Sequence, residues 1–196
     1  MVFDFVIIGA GPAGEAAAFE ARERGASVAI VDRMWVGGSC PHIGCVPSKS
    51  LLDGAARHHA NPASWSWRQA SDRRDYMVNR PAGAPAPDDT SHVEALEDKG
   101  VVLYRGEARV PSRGVVEIHH DGETHQLDAK NVVIAVGSFS KVPPLPGLSD
   151  IPYWTNREAT LTRELPRSRA RPGARRRRPR AGPRSPRRSC AGGPWA

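Results

Sequence analysis

The hydrophobic pattern at the start of the chain predicts two buried strands on either side of one helix. Residues 3–8 form an apolar run interrupted only by Asp4, and residues 27–31 form a second run rich in β-branched side chains. The alanine-rich segment 15–24 between them has the composition of a helix and is followed by a glycine. Short, continuous apolar runs are typical of parallel strands buried on both faces. This order predicts a βαβ unit and an α/β fold.

The remaining pattern alternates helices with short strands. We expect helices over residues 45–60 and 93–99, and a loop with at most a short helix over residues 61–92. Short strands are expected over residues 101–104, 115–119 and 131–136. The pair Asp121-Gly122 tolerates the positive φ angles of a two-residue turn, so it predicts a small β-hairpin or meander.

The composition changes abruptly after Pro166. Arg, Pro, Gly and Ala make up 25 of the last 30 residues, with no aliphatic residue larger than Ala. Such a segment buries too little apolar surface to offset its ordering entropy, so we expect a disordered, basic C-terminal tail over residues 167–196. We also expect this tail to be an out-of-frame translation, because GC-rich codons encode its four main residues. Residues 1–166 then form the folded domain.

The charge of the chain is divided in the same way. The net charge of +7 is the sum of two unlike parts. The tail has 11 arginines and no acidic residue, whereas the body has 17 basic and 21 acidic residues. The body is therefore not a basic nucleic-acid binder, and binding of nucleic acid or anions through the tail is the alternative hypothesis. No apolar run is long enough to span a bilayer, and three cysteines do not suggest a secreted disulfide scaffold. We expect a cytoplasmic protein without a membrane anchor.

Three glycines mark a candidate dinucleotide site. Gly9, Gly11 and Gly14 lie between the first strand and the first helix, and Asp32 ends the next strand. Such glycines allow a tight turn, close approach of a pyrophosphate, and close packing of helix on strand. The helix N-terminus attracts the phosphates, and the carboxylate accepts hydrogen bonds from a ribose. The pattern predicts dinucleotide binding but does not distinguish FAD from NAD(P).

Two cysteines form a second motif. Residues 37–49 read GGSCPHIGCVPSK, with Cys40 and Cys45 just before a predicted helix. A helix N-terminus stabilises a thiolate, and two nearby thiols can close and reopen a disulfide. The alternatives are two unreactive buried thiols, a structural disulfide, or a zinc site that also uses His42.

Taken together, the glycine turn, Asp32 and the GGSCPHIGCVPSK segment resemble the pyridine nucleotide-disulfide oxidoreductases, in particular the dihydrolipoyl dehydrogenase and mercuric reductase branches. The resemblance implies a Rossmann-like FAD-binding domain and a flavin-dependent oxidoreductase that passes electrons between FAD and a Cys40–Cys45 disulfide. Cys45 would contact the flavin and Cys40 would meet the substrate. Lys49 would lie near the flavin ring, and Ser39 would help to hold the cofactor.

The resemblance continues to about residue 168. The segment around Ala108 is similar to the strand of the family whose backbone contacts the adenine, and Gly137 and Ser138 resemble its Ala-Thr-Gly-Ser turn. The family continues into an NAD(P)H domain and a dimerisation domain with a catalytic His-Glu pair. The resemblance therefore implies a small-molecule disulfide or metal substrate, a homodimer, no bound metal, and an incomplete FAD domain that is inactive by itself.

Overall fold

One six-stranded sheet organises residues 2–166, the part of the chain that the computed structural model describes. The strands are β1 (Val2–Ile8), β2 (Val28–Asp32), β3 (Val102–Arg105), β4 (Glu107–Ser112), β5 (Val115–His120) and β6 (Glu123–Ile134), in the order β3-β2-β1-β6-β5-β4. The first three strands and the end of β6 are parallel, whereas β4, β5 and the start of β6 form an antiparallel meander. The predicted α/β fold with a meander is confirmed.

Six α-helices surround the sheet within the described residues. They are α1 (Pro12–Glu23), α2 (Ser39–His42), α3 (Cys45–Ala60), α4 (Trp67–Met77), α5 (Thr90–Asp98) and α6 (Asn156–Leu161). The helix expected over residues 45–60 is confirmed. Helix α1 starts earlier than the expected residue 15, because Pro12 occupies its first turn, where a missing N–H costs little.

Helix α4 is longer than the short helix that the sequence suggested within residues 61–92. Its start is marked by a capping box, in which the Ser66 hydroxyl accepts from the Gln69 N–H and the Gln69 side chain accepts from the Ser66 N–H. This Ser-x-x-Gln spacing is a recognisable signal for a helix start. The polar composition of the helix obscured it, since only one face is buried.

The two faces of the sheet hold two separate hydrophobic clusters. Successive residues of β2, and of residues 5–8 in β1, point to opposite faces, as the two-residue period of a strand requires. One cluster contains Phe3, Val6, Ala29 and Val31 with the meander residues Val116, Ile118, Leu127 and Ala129. The other contains Ile7, Val28 and Ile30 with Ala10, Ala18, Val36, Leu96 and Val101, which come from α1, α5 and the neighbouring loops. The parallel strands β1 and β2 therefore lie between helices α1 and α5 on one face and the meander on the other.

Strand β6 joins the meander to the parallel sheet. A turn at Asp121-Gly122, with φ angles of 48° and 84°, connects it to β5, which confirms the predicted hairpin. Its first half pairs with β5 and its second half pairs with β1. The sequence predicts a strand only over residues 131–136, because residues 123–130 are mainly polar; most of them are exposed in the structure. Strand pairing, rather than an apolar run, determines the true length.

The predictions for residues 167–196 concern a disordered tail and a change of reading frame, and these residues lie outside the described part of the chain. Between Val2 and Pro166, no helix combines the length and the apolar character that crossing a membrane requires.

Candidate functional site

Two of the three predicted glycines are required by the packing of the turn itself. Gly9 has a φ of +105°, and a Cβ atom there would lie 2.3 Å from the Ala135 carbonyl oxygen. A Cβ atom on Gly14 would lie 1.9 Å from the carbonyl oxygen of Gly9. These contacts bring the end of β1, helix α1 and the residue after β6 together. Side chains at either position would separate these elements.

Gly11 differs, because the protein leaves space for a side chain there. Its φ of −80° is accessible to any residue, and a Cβ atom on Gly11 would have the Gly38 Cα as its nearest neighbour, at 3.8 Å. Gly11 is the N-cap of α1 and has no capping side chain. The open space therefore lies at the positive end of a helix, where an anion is stabilised. A phosphate group fits this environment.

Asp32 is held in place by the backbone on both sides of it. Its Oδ2 accepts a hydrogen bond from the Ala10 N–H and its Oδ1 accepts one from the Met34 N–H, both at 2.7 Å. A carboxylate oxygen can accept more than one hydrogen bond, so both oxygens keep capacity for a ribose hydroxyl. The bonds orient the carboxylate next to the glycine turn.

A single cleft brings most of the predicted residues together. It has a volume of about 1330 Å³ and lies at the carboxyl ends of the parallel strands. Ligands of open α/β sheets bind at this edge. The predicted residues in its lining are Gly9, Gly11, Asp32, Ser39, Cys40, Ala108, Gly137 and Ser138. Gly14, Cys45 and Lys49 are not in the lining, since Gly14 packs against the turn and the other two lie on α3.

One wall of the cleft was not predicted from the sequence. It is formed by α6 and the loop after β2. Residues 155–158 line the cleft, and Arg157 lies with its guanidinium 5.4 Å from the centre of the Trp35 ring. A capping box between Thr155 and Glu158 starts this helix. That Thr-x-x-Glu spacing was a detectable signal. The contact between Arg157 and Trp35, however, joins residues that are far apart in sequence.

An ion pair supports the loop that carries Trp35. The Arg105 guanidinium donates to the Met34 carbonyl at 2.6 Å and contacts the Asp89 carboxylate at 2.8 Å. Asp89 also accepts a hydrogen bond from the Val36 N–H at 2.7 Å. Burial raises the pKa of Asp89, but the bonds from Arg105 and Val36 outweigh it and hold this pKa below its ordinary value. Arg105 ends β3 and Asp89 precedes α5, so this charged pair holds the loop after β2 against both of these elements.

The two thiols lie within reach of one another on consecutive helices. Cys40 is the second residue of α2 and is half-buried, and Cys45 is the first residue of α3 and is exposed. A hydrogen bond with Cys45, assisted by burial, raises the pKa of the Cys40 thiol, while the Lys49 ammonium acts in the opposite direction. The two thiols are therefore neighbours, but the raised pKa disfavours the Cys40 thiolate, in contrast to the thiolate stabilisation expected at a helix N-terminus.

Close packing holds the loop between these thiols. A Cβ atom on Gly44 would lie 2.8 Å from the Ser39 carbonyl oxygen, so α2 and α3 pack closely here. His42 is buried, its Nε2 bonds to the Val36 carbonyl at 2.7 Å, and its ring packs edge-on against His92 at 5.6 Å. The zinc alternative finds no support, because no three His, Cys, Asp or Glu side chains within residues 2–166 are placed to share a metal ion.

Known proteins are similar to this chain both in sequence and in fold. A profile of the pyridine nucleotide-disulphide oxidoreductases matches residues 3–174. The mercuric reductase of Acidithiobacillus ferrooxidans is 34% identical over an alignment of 171 positions, which covers 82% of this chain and 31% of that protein. The dihydrolipoyl dehydrogenase of Acholeplasma laidlawii is 31% identical over an alignment of 160 positions, which covers 76% of this chain and 44% of that protein.

Among solved structures, the Cu(II) complex of the HOCl-induced flavoprotein disulfide reductase RclA from Escherichia coli is similar. It has a TM-score of 0.74 at 25% identity, covering 85% of this chain and 36% of that one. The chain thus spans between about a third and a half of the length of these relatives. The family uses FAD and NAD(P)H as cofactors. With the profile match covering most of its residues, this chain belongs to the pyridine nucleotide-disulphide oxidoreductase family.

Proposed function

We propose that this chain binds FAD in the cleft and that Cys40 and Cys45 are the redox-active thiols of a flavin-dependent disulfide oxidoreductase. The observation that carries the proposal is that one cleft contains the glycine turn, Asp32 and Cys40. The residues expected to bind a dinucleotide and one of the two thiols therefore lie side by side, as electron transfer between a flavin and a disulfide would require.

The residues present suit FAD. Gly11 leaves space at the N-terminus of α1 for the pyrophosphate, and Asp32 offers two oriented oxygens to the ribose. Ala108 would face the adenine, and Gly137 and Ser138 would close the cleft at the end of β6. Gly14 supports the turn from behind, and Ser39 contributes a hydroxyl near the thiols. When bound, FAD supplies the two-electron chemistry that connects a nicotinamide with a disulfide.

The thiols carry the other half of the reaction. When the Cys40 and Cys45 thiols join as a disulfide, two electrons and two protons leave the pair, and reduction returns them. Cys40 lines the cleft, whereas Cys45 is exposed beside Lys49 on α3. We assign the flavin contact to Cys45 and the substrate contact to Cys40, as the family resemblance implies. Single serine variants of the two cysteines distinguish this assignment from its reverse.

We infer that the substrate of the complete enzyme is a small disulfide or a metal ion. The similar proteins include mercuric reductases and a dihydrolipoyl dehydrogenase, which supports these two classes. Because this chain spans only part of their length, reduction by NAD(P)H and assembly as a homodimer are proposed for the complete enzyme and not for this chain by itself.

Titration of the 196-residue chain with FAD, followed by the change in flavin fluorescence, tests the cofactor site. We expect binding by the unaltered chain and its loss in Gly11→Val, because the added side chain fills the phosphate space while its Cβ atom makes only an ordinary contact with the Gly38 Cα. Ala16→Val is the matched control, since it adds bulk of the same kind on the exposed side of the same helix. Equal affinity of both variants for FAD would place the cofactor elsewhere.

A further inference from the structure

Side chains from the α4 region bind the last two backbone carbonyls of α6 and the two that follow it. Residues 160–163 present four consecutive carbonyl groups, and each accepts a side-chain hydrogen bond. The donors are Arg74 for Thr160 and Thr162, Arg80 for Leu161, and the Trp67 indole for Arg163. Carbonyls at a helix C-terminus have no partners within the helix, so these donors satisfy groups that would otherwise need water. We call this set of contacts the α6 clamp.

The centre of the α6 clamp is a buried ion pair. Arg74 is fully buried, and its Nε contacts the Asp75 carboxylate at 2.6 Å. Asp75 is 4% exposed in its side chain and is also paired with Arg163, which belongs to the clamped segment. A planar guanidinium that bridges a carboxylate and two carbonyls has little freedom to move. The clamp therefore fixes the position of α6 relative to α4.

Helix α6 in turn contacts the loop between the two thiols. The Thr160 hydroxyl lies 3.1 Å from the Ile43 carbonyl oxygen. It also approaches two carbonyls of its own helix, those of Asn156 at 2.8 Å and Arg157 at 3.3 Å. Ile43 is buried and lies in the middle of the segment between Cys40 and Cys45. The hydroxyl has one proton, which these three carbonyls share, so it connects the clamped helix to the thiol loop while also bonding within its own helix.

We propose that Thr160 is a positioning residue for the Cys40–Cys45 pair, and that Arg74 acts through it by holding α6 in place. This inference rests on the proposed function, since it concerns the redox equilibrium of the same two thiols. A disulfide forms only within a narrow range of Cα separations and dihedral angles. A loop that is held at its midpoint limits how far the two sulfurs can move apart, so it stabilises the disulfide relative to the dithiol.

The redox equilibrium of the thiols is measured against glutathione. Oxidised glutathione takes two electrons and two protons from the thiols of Cys40 and Cys45, giving the protein disulfide and two molecules of reduced glutathione. The 196-residue chain is equilibrated at a series of glutathione ratios, the thiols are alkylated, and the Cys40–Cys45 disulfide is quantified by peptide mass spectrometry. All samples carry Cys190→Ser, which removes the third cysteine from the exchange.

Three substitutions separate positioning from general stability. Thr160→Val and Thr160→Ala remove the hydroxyl, and Thr160→Ser keeps it. Thr162→Val is the matched control, because it makes the same change two residues later, where the hydroxyl bonds to the Glu164 carbonyl instead of the thiol loop. Circular dichroism establishes that each variant is folded.

We expect Thr160→Val and Thr160→Ala to lower the equilibrium constant for disulfide formation by about threefold to tenfold, the effect of losing one hydrogen bond. Thr160→Ser and Thr162→Val should match the unaltered chain. If the unaltered chain forms no Cys40–Cys45 disulfide, the proposed function and this inference both fail. If it forms one and the hydroxyl-free variants share its equilibrium constant, or Thr162→Val shifts equally, only the positioning role is wrong.

Discussion

The carbonyl oxygen of Gly9 lies 1.9 Å from the position that a Cβ atom on Gly14 would occupy. The first turn of α1 therefore packs directly on the end of β1, with no space for any side chain between them. Gly11, between these two residues, has an open side instead. The same motif thus contains glycines needed for folding and one glycine that leaves room for a ligand.

The first prediction separates these two roles by stability. Gly14→Ala should lower the free energy of unfolding by about 3 kcal/mol, the upper end of the usual cost of overpacking, because backbone must move to relieve the overlap. Gly11→Ala should change it by less than about 0.5 kcal/mol, since its φ of −80° and its surroundings accept a methyl group. Urea unfolding followed by circular dichroism measures both. Similar losses in the two variants would contradict the distinction.

The second prediction concerns the two thiols. If Cys45 contacts the flavin, the FAD-loaded Cys40→Ser variant should keep a thiolate beside the ring and show a long-wavelength charge-transfer absorbance. Cys45→Ser should lack this band, because the thiol that remains of the pair is Cys40; both variants also carry Cys190→Ser. Visible spectra recorded from about pH 6 to about pH 9, a range that spans ordinary thiol ionisation, provide the measurement. The opposite result would assign the flavin contact to Cys40, which lines the cleft.

The third prediction concerns the buried ion pair of the α6 clamp. Removing the carboxylate in Asp75→Ala leaves the Arg74 guanidinium buried without its charged partner, so stability should fall by about 3–5 kcal/mol. Asp72→Ala is the control, because Asp72 is half-exposed and pairs with Arg68 and Arg163 at the surface. Its loss should cost less than about 1 kcal/mol. Equal losses of stability in urea unfolding would show that the buried pair contributes no more to the fold than a surface pair does.

The fourth prediction concerns the pH dependence of stability at Asp4, which lies in β1 and contacts Lys130 in β6 and Ser27 just before β2. Hydrogen bonds from Lys130 and Ser27 hold the pKa of Asp4 well below its ordinary value of 3.8. A carboxyl group with a lowered pKa in the folded state stabilises the fold fully above its unfolded-state pKa, and this contribution is lost as the pH falls below it. Stability should therefore decrease below about pH 4, as Asp4 takes up a proton more readily in the unfolded chain.

Asp4→Asn should remove this part of the acid sensitivity. Urea unfolding between about pH 2.5 and about pH 6, which brackets the ordinary carboxyl pKa, should give a flatter stability profile than the unaltered chain shows. Asp150→Asn is the control, because Asp150 bonds to the neighbouring Ser149 hydroxyl and joins no strands. An unchanged slope in Asp4→Asn would mean that other carboxylates account for the acid response.

The sequence by itself determined the features that depend on nearby residues. The turn at Gly9 to Gly14, the acid that ends β2, the Asp121-Gly122 hairpin and the helix that starts at Cys45 all follow from local requirements. A positive φ angle, a free helix N-terminus or an alternating apolar pattern acts over only a few residues. These features can therefore be predicted before any tertiary contact is known.

The tertiary structure decided everything that joins distant segments. The double pairing of β6, the Arg157–Trp35 contact and the Thr160–Ile43 hydrogen bond depend on how the sheet arranges its strands. The burial of Arg74 is the clearest example, because arginine is usually exposed and its sequence neighbours are polar. Only the packing of α6 on α4 supplies the carbonyl groups that make this burial favourable, and those groups come from a segment 86 or more residues away.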